Sequence, residues 1–134
     1  MWLLRLLTAA GLAVDAYVHF DLAHAYDPVG TAVSQGTLFR AQAAAAVFAA
    51  VLVLVSGRNR WAWAFAFLVA ASALGAVLLY RYVDVGSLGP LPNMHEPEWY
   101  PQKTASAVAE AVATLGAAIG FVTAGRHRTP SGRP

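Results

Sequence analysis

Residues 38–80 read LFRAQAAAAVFAAVLVLVSGRNRWAWAFAFLVAASALGAVLLY: two apolar runs, 38–55 and 61–80, joined by the basic link Ser56-Gly57-Arg58-Asn59-Arg60. An α-helix needs about 20 predominantly apolar residues to cross about 30 Å of hydrocarbon. Each run supplies that length, so the chain crosses a bilayer, turns and crosses back. Runs at 3–25 and 104–123 repeat the pattern on either side. The spacing therefore predicts an all-α, four-helix transmembrane bundle.

Composition agrees with this reading. Of 134 residues, 58% are hydrophobic and 12% charged, against about 25% charged residues in a soluble domain. The spans and their connections use nearly all of the sequence, giving one four-span domain over 1–125. Cysteine is absent, which excludes disulfides and thiolate metal sites. The basic residues are dispersed instead of forming one stripe, so no nucleic-acid partner is expected. Residues 1–16 resemble a signal peptide in having Arg5 and an apolar run, but Asp15 interrupts the cleavage region and apolar residues continue beyond it. An uncleaved first span is expected.

Orientation follows from the positive-inside rule. With the N-terminus inside, Arg5, Arg58, Arg60, Arg126, Arg128 and Arg133 lie on the cytoplasmic side, against Arg40, Arg81 and Lys103 outside. Both termini are thus expected in the cytoplasm of a multi-pass plasma-membrane protein, with residues 126–134 as a cytoplasmic tail. Trp2, Trp61 and Trp63 would mark the inner interface, and Tyr26, Phe39, Tyr80, Tyr82, Trp99 and Tyr100 the outer one. The connection 27–37 is turn-rich. The connection 81–103 holds Pro90, Pro92, Pro97 and Pro101, four of the seven prolines. It reads as an ordered, non-helical extracytoplasmic cap.

Small residues imply close helix packing. Gly116 and Gly120 form a GxxxG pair that serves either packing within the bundle or a homo-oligomer.

The ionisable residues inside the spans point to a site. Asp15, His19 and Tyr26 share one face of the first span at 100° per residue, and Tyr17, Asp21 and His24 lie roughly opposite. Asp15 sits about 16 Å below the outer boundary by helical rise, where an unpaired carboxylate costs at least about 2.5 kcal/mol. Glu110 lies roughly 10 Å deep in the last span, with Thr114 one turn further on. Gln42 comes from the second span. These groups predict an outward-facing polar pocket lined by Asp15, His19, Gln42 and Glu110, with Arg40 and Arg81 at its rim.

Three uses of such a pocket stay open. The polar groups can simply pair and fix helix register. They can hold a small ligand or a divalent metal, the candidate ligands being His19, Glu110, Asp15 and loop His95, although no pair has diagnostic spacing. Or His19 and Glu110 can exchange a proton in a small transporter or membrane enzyme. Haem is not expected, because bis-histidine ligation needs imidazoles on facing helices. No serine stands in a G-x-S-x-G context, and neither a Walker nor a dinucleotide motif is present. No catalytic residue is assigned. A non-enzymatic accessory subunit of a larger membrane complex, or a small-ligand binder, is the leading reading.

The runs Val18-His19-Phe20-Asp21-Leu22…Tyr26…Gly36-Thr37-Leu38-Phe39-Arg40-Ala41-Gln42 and Gly89-Pro90-Leu91-Pro92-Asn93-Met94-His95-Glu96-Pro97-Glu98-Trp99-Tyr100-Pro101-Gln102-Lys103 resemble those of small four-span membrane proteins of actinobacteria, an uncharacterised family. The resemblance implies four spans in the plasma membrane and no particular activity. His95 stands where similar loops carry an aromatic residue.

Overall fold

Asn59 accepts a hydrogen bond from the backbone of Trp61 at 3.0 Å, and this cap opens the helix that the apolar run 61–80 predicts. Ser34 does the same for the preceding helix, accepting from the Thr37 N–H at 3.0 Å. Capping oxygens of this kind satisfy N–H groups that have no partner within the helix. Pro101 occupies the first position of the last helix, where its missing N–H costs nothing.

The computed structural model describes residues 1–30 and 32–127. Among them run α1 (Trp2–Ala23), extended by a 3-10 turn at His24–Tyr26, then α2 (Gln35–Ser56), α3 (Arg60–Tyr82) and α4 (Pro101–His127). All four are long and apolar enough to cross a membrane. The caps start α2 and α4 three residues ahead of the expected 38 and 104. The polar tail expected over 126–134 begins as the last turn of α4, and the remainder lies outside the described residues.

The helices alternate up and down, and each packs on its chain neighbours, with α1 also closing against α4. Two ends follow. The turn end carries the α2–α3 link and the start of α1; the cap end carries 27–30, 32–34 and 83–100. The contact between α2 and α3 is the slightest of the four. It is concentrated toward the turn end, where Ala46, Ala49, Val53, Trp63, Ala66 and Ala70 are buried together.

Size is sorted inside out. The core is built mainly from alanine, while Leu3, Phe20, Val55, Leu68 and Leu115 are all more than 60% exposed. Lipid drives no hydrophobic association between helices, so small residues gather where backbones approach and large apolar ones face the acyl chains. In water the same surface would be an aggregation patch.

The α1–α4 seam is the tightest. A Cβ on Gly11 would lie 2.7 Å from the Ala109 carbonyl oxygen. A Cβ on Gly116 would clash with the Thr8 hydroxyl, and one on Gly120 with the Trp63 ring. Both glycines of the GxxxG pair are thus occupied within the chain. A homo-oligomer through Gly116 and Gly120 would require the bundle to open. Trp63 is also displaced from its expected interfacial belt. It is fully buried against Gly120, and its indole N–H donates to the Gly57 carbonyl at 2.8 Å. Trp2 and Trp61 remain exposed. At the same end Arg5 is buried and donates to the Leu54 carbonyl at 3.3 Å, placing a cation at the carbonyl end of α2.

The glycines separate packing from mere composition. Gly120→Ala is expected to destabilise the protein by about 1–3 kcal/mol through overpacking against Trp63. Gly75→Ala, with no heavy atom within 4 Å of the new Cβ, should be neutral or gain about 0.5–1 kcal/mol from helix propensity. Equilibrium unfolding in mixed detergent micelles measures both.

Candidate functional site

A helical repeat on α4 buries Lys103, Ser106, Ala109, Glu110, Ala113 and Ala117 along one stripe. One turn of α1 brings Asp15 and His19 to face its cap half, and α2 adds Gln42. The result is a compact polar cluster. Gln42 Nε2 donates to Asp15 Oδ2 at 2.6 Å. His19 Nδ1 lies 2.8 Å from Asp15 Oδ1 and 2.9 Å from the Asp15 carbonyl oxygen. It also stands 4.0 Å from Glu110 Oε2. The Ser106 hydroxyl donates to Glu110 Oε2 at 2.8 Å, with Asp15 Oδ1 at 3.5 Å.

Asp15 is fully buried and Glu110 is 1% exposed. Asp15 has several donors, whereas Glu110 Oε1 is buried with no hydrogen-bond partner among the described residues. Thr114 turns its hydroxyl back to the Glu110 carbonyl at 2.6 Å and takes no part in the cluster. His19 is fixed from the other side by Phe39, edge to face at 4.9 Å between ring centroids.

The cluster borders a chamber of about 550 Å³ at the cap half of the bundle. His19, Gln42, Ser106 and Glu110 form one end of it. Leu88, Leu91 and Met94 of the cap close it above, and α3 supplies a wall of small residues. Ser72, Gly75 and Ala76 on that wall are exposed, so the chamber opens through a slot beside α3, where α2 and α3 diverge. Most of its wall is apolar.

The cap is held by directed bonds. The Leu88–Leu91 turn pairs N–H to carbonyl in both directions, at 3.1 and 2.9 Å. Glu96 receives the Tyr26 hydroxyl at 2.7 Å, and that hydroxyl lies 2.9 Å from the Tyr100 hydroxyl. Burial raises the pKa of the Tyr100 phenol above its ordinary value. Lys103, 7% exposed, donates to the Glu96 and Glu98 carbonyls at 2.7 and 3.0 Å and approaches Glu96 Oε1 at 3.4 Å.

Of the residues expected to form the pocket, Asp15, His19, Gln42 and Glu110 come together, and Arg40 and Arg81 do not. Arg40 makes a two-point ion pair with Asp27, at 2.7 and 2.9 Å, on the surface. Arg81 stacks on Tyr82 and Trp99 at 4.6 and 5.7 Å. In both, a loop residue captured the long side chain before it could reach the pocket. His95 lies apart from the cluster, with its Nδ1 on the Tyr80 carbonyl at 2.8 Å, and is not among the His, Asp and Glu residues whose ligand atoms converge among the described residues. Ser106 and Lys103 were missed as site residues, although their spacing to Glu110 puts all three on one face.

No protein family, curated protein or solved structure matches the chain in sequence or fold comparison.

Gln42→Leu leaves Asp15 Oδ2 buried without its donor and should cost about 1–3 kcal/mol in detergent unfolding. The Arg40 hydrogen bonds hold the Asp27 pKa below the ordinary carboxylate value. Their contribution to stability is therefore complete above that ordinary value and lost as pH falls through the lowered one. Arg40→Gln should unfold more readily than wild type near neutrality, with the difference vanishing in acid.

Proposed function

We propose that the protein is a non-enzymatic plasma-membrane component that holds one small amphipathic molecule in the chamber at its cap end. The observation carrying this reading is the chamber itself. A largely apolar wall meets a single hydrogen-bonding end, the arrangement that recognises a ligand by its apolar body and orients it by its polar head. At that end His19 Nδ1 is already engaged by Asp15, so Nε2 is the ring nitrogen left for a ligand. Gln42 donates one of its two amide N–H groups to Asp15 and keeps the other together with its carbonyl oxygen. The polar head therefore meets an amide that can donate or accept and a group that pairs with imidazole.

The arginine distribution supports cytoplasmic termini and an extracytoplasmic cap, which would put the chamber in the outer leaflet. The chain's lack of cysteine makes this directly measurable. A membrane-impermeant maleimide applied to intact cells should label Ser87→Cys in the cap and not Arg58→Cys in the α2–α3 link. The reverse pattern would invert the proposed orientation.

A proton-coupled role is the second reading, favoured by the position of His19 Nδ1 between the Asp15 and Glu110 carboxyl groups. It predicts a flux in reconstituted vesicles that Glu110→Gln abolishes.

The binding reading is tested by what leaves the membrane with the protein. Purified gently and analysed by native mass spectrometry, wild type should carry about one equivalent of a small amphipathic molecule, as one chamber of this size allows. Ala76→Trp, which fills the chamber from the exposed wall, should carry none while keeping its helical content. Wild type that is empty after purification from native membranes, or Ala76→Trp that retains the same molecule, would overturn the proposal.

A further inference from the structure

Asp15, His19 and Glu110 each offer one ligand atom, and these atoms lie within 4.8 Å of one another. They come from two helices, one turn apart on α1 and across the seam on α4. From this constellation we infer that the cluster is a binding site for one divalent transition-metal ion, with zinc the best fit.

The donor set decides the class of ion. One imidazole nitrogen with two carboxylate oxygens suits zinc and its neighbours, whereas magnesium prefers an all-oxygen octahedron and keeps its water. Charge points the same way. Where both carboxyls are ionised beside a neutral imidazole, the low-dielectric interior holds two negative charges, each of them expensive. A divalent cation brings the sum to zero within the cluster.

Bonding around the three residues is arranged as it is around bound metals, where outer hydrogen bonds aim the ligands. Gln42 holds Asp15 by Oδ2, leaving Oδ1 toward His19. Ser106 holds Glu110 by Oε2. The remaining oxygen, Glu110 Oε1, is buried and unpartnered. A buried carboxylate oxygen without a donor carries its full desolvation cost. A cation at this point removes that cost. Binding exchanges the proton on His19 Nδ1, and its hydrogen bonds to Asp15, for the ion.

Access is through the chamber, which Glu110 and His19 border. Three protein ligands leave at least one coordination position open, as at zinc sites that also take a water or a substrate. That position would face the space assigned above to the polar head of the ligand. The metal site does not depend on that assignment, because it is measured with the chamber empty.

The test uses the full chain in a non-chelating detergent. Dialysed against zinc and assayed by elemental analysis, wild type should hold about one equivalent, and excess magnesium should not displace it. Glu110→Gln should hold less than about a tenth of an equivalent under the same conditions. Ser106→Ala, which removes only the donor that aims Glu110, should weaken affinity about 10–100-fold. His24→Ala, at an imidazole that is 96% exposed, should bind as wild type does.

A spectroscopic measurement keeps the proposal falsifiable if Glu110→Gln fails to fold. The chain has four histidines. With His24→Ala, His95→Gln and His127→Ala combined, His19 is the sole imidazole. Loaded with copper(II), that protein should show electron paramagnetic resonance coupling to one nitrogen. Wild type taking up less than about a tenth of an equivalent of zinc, or copper coupled to no nitrogen, would overturn the site. An empty chamber with zinc bound would instead count only against the amphipathic ligand.

Discussion

A carboxylate in the middle of a membrane helix has no water to turn to, so its partners must come from the protein. Asp15 is the residue under that constraint, and the arrangement of three helices answers it. His19 reaches it from one turn along α1, Gln42 from α2, and Ser106 with Glu110 from α4. Each of these bonds fixes a depth and a rotation. Slide α4 by one residue and Ser106 and Glu110 turn together away from Asp15 and His19; rotate α2 and Gln42 leaves Asp15. The polar cluster therefore sets the register of the cap half, where the alanine core alone would tolerate several.

Alanine and glycine do the complementary work at the turn end. Gly11, Gly116 and Gly120 let α1, α4 and the Trp63 ring come together, and Arg5 closes the carbonyl end of α2. α3 is tied here and contributes no polar group to the cluster. With its small residues aligned along the cap half and α2 packed more closely on α1 than on α3, the two helices part and leave the chamber. The void is thus a result of how the polar partners are distributed: three helices are drawn together, and the fourth is not.

Much of this was legible in the sequence, for identifiable reasons. Span lengths depend on hydrocarbon thickness, and helical periodicity alone puts Asp15 over His19. Glu110 and Gln42 could be directed inward because lipid excludes the alternative. Other residues depend on where loops travel, which periodicity does not encode. Arg40 and Arg81 sit at span ends with side chains long enough for many partners, and Asp27 and Trp99 were nearer. Trp63 has the composition of an interfacial residue, yet the glycine at 120 makes a slot that only a tertiary contact reveals. Ser106 belongs to no nucleophile motif, and its offset of four from Glu110 is the signal that puts it on the same face as a donor.

The cap is braced at both sides, by Tyr26 on Glu96 and by Lys103 on the carbonyls of Glu96 and Glu98, while the slot beside α3 is lined by Ser72, Gly75 and Ala76 with no side-chain hydrogen bond across it among the described residues. Passage by way of the cap breaks several directed bonds; passage by the slot breaks none. A guest using that path would be drawn from the acyl phase, and its occupancy would follow its mole fraction among the surrounding lipids rather than its molarity in water. A molecule too insoluble to be sensed from the aqueous side would then be within reach of this protein.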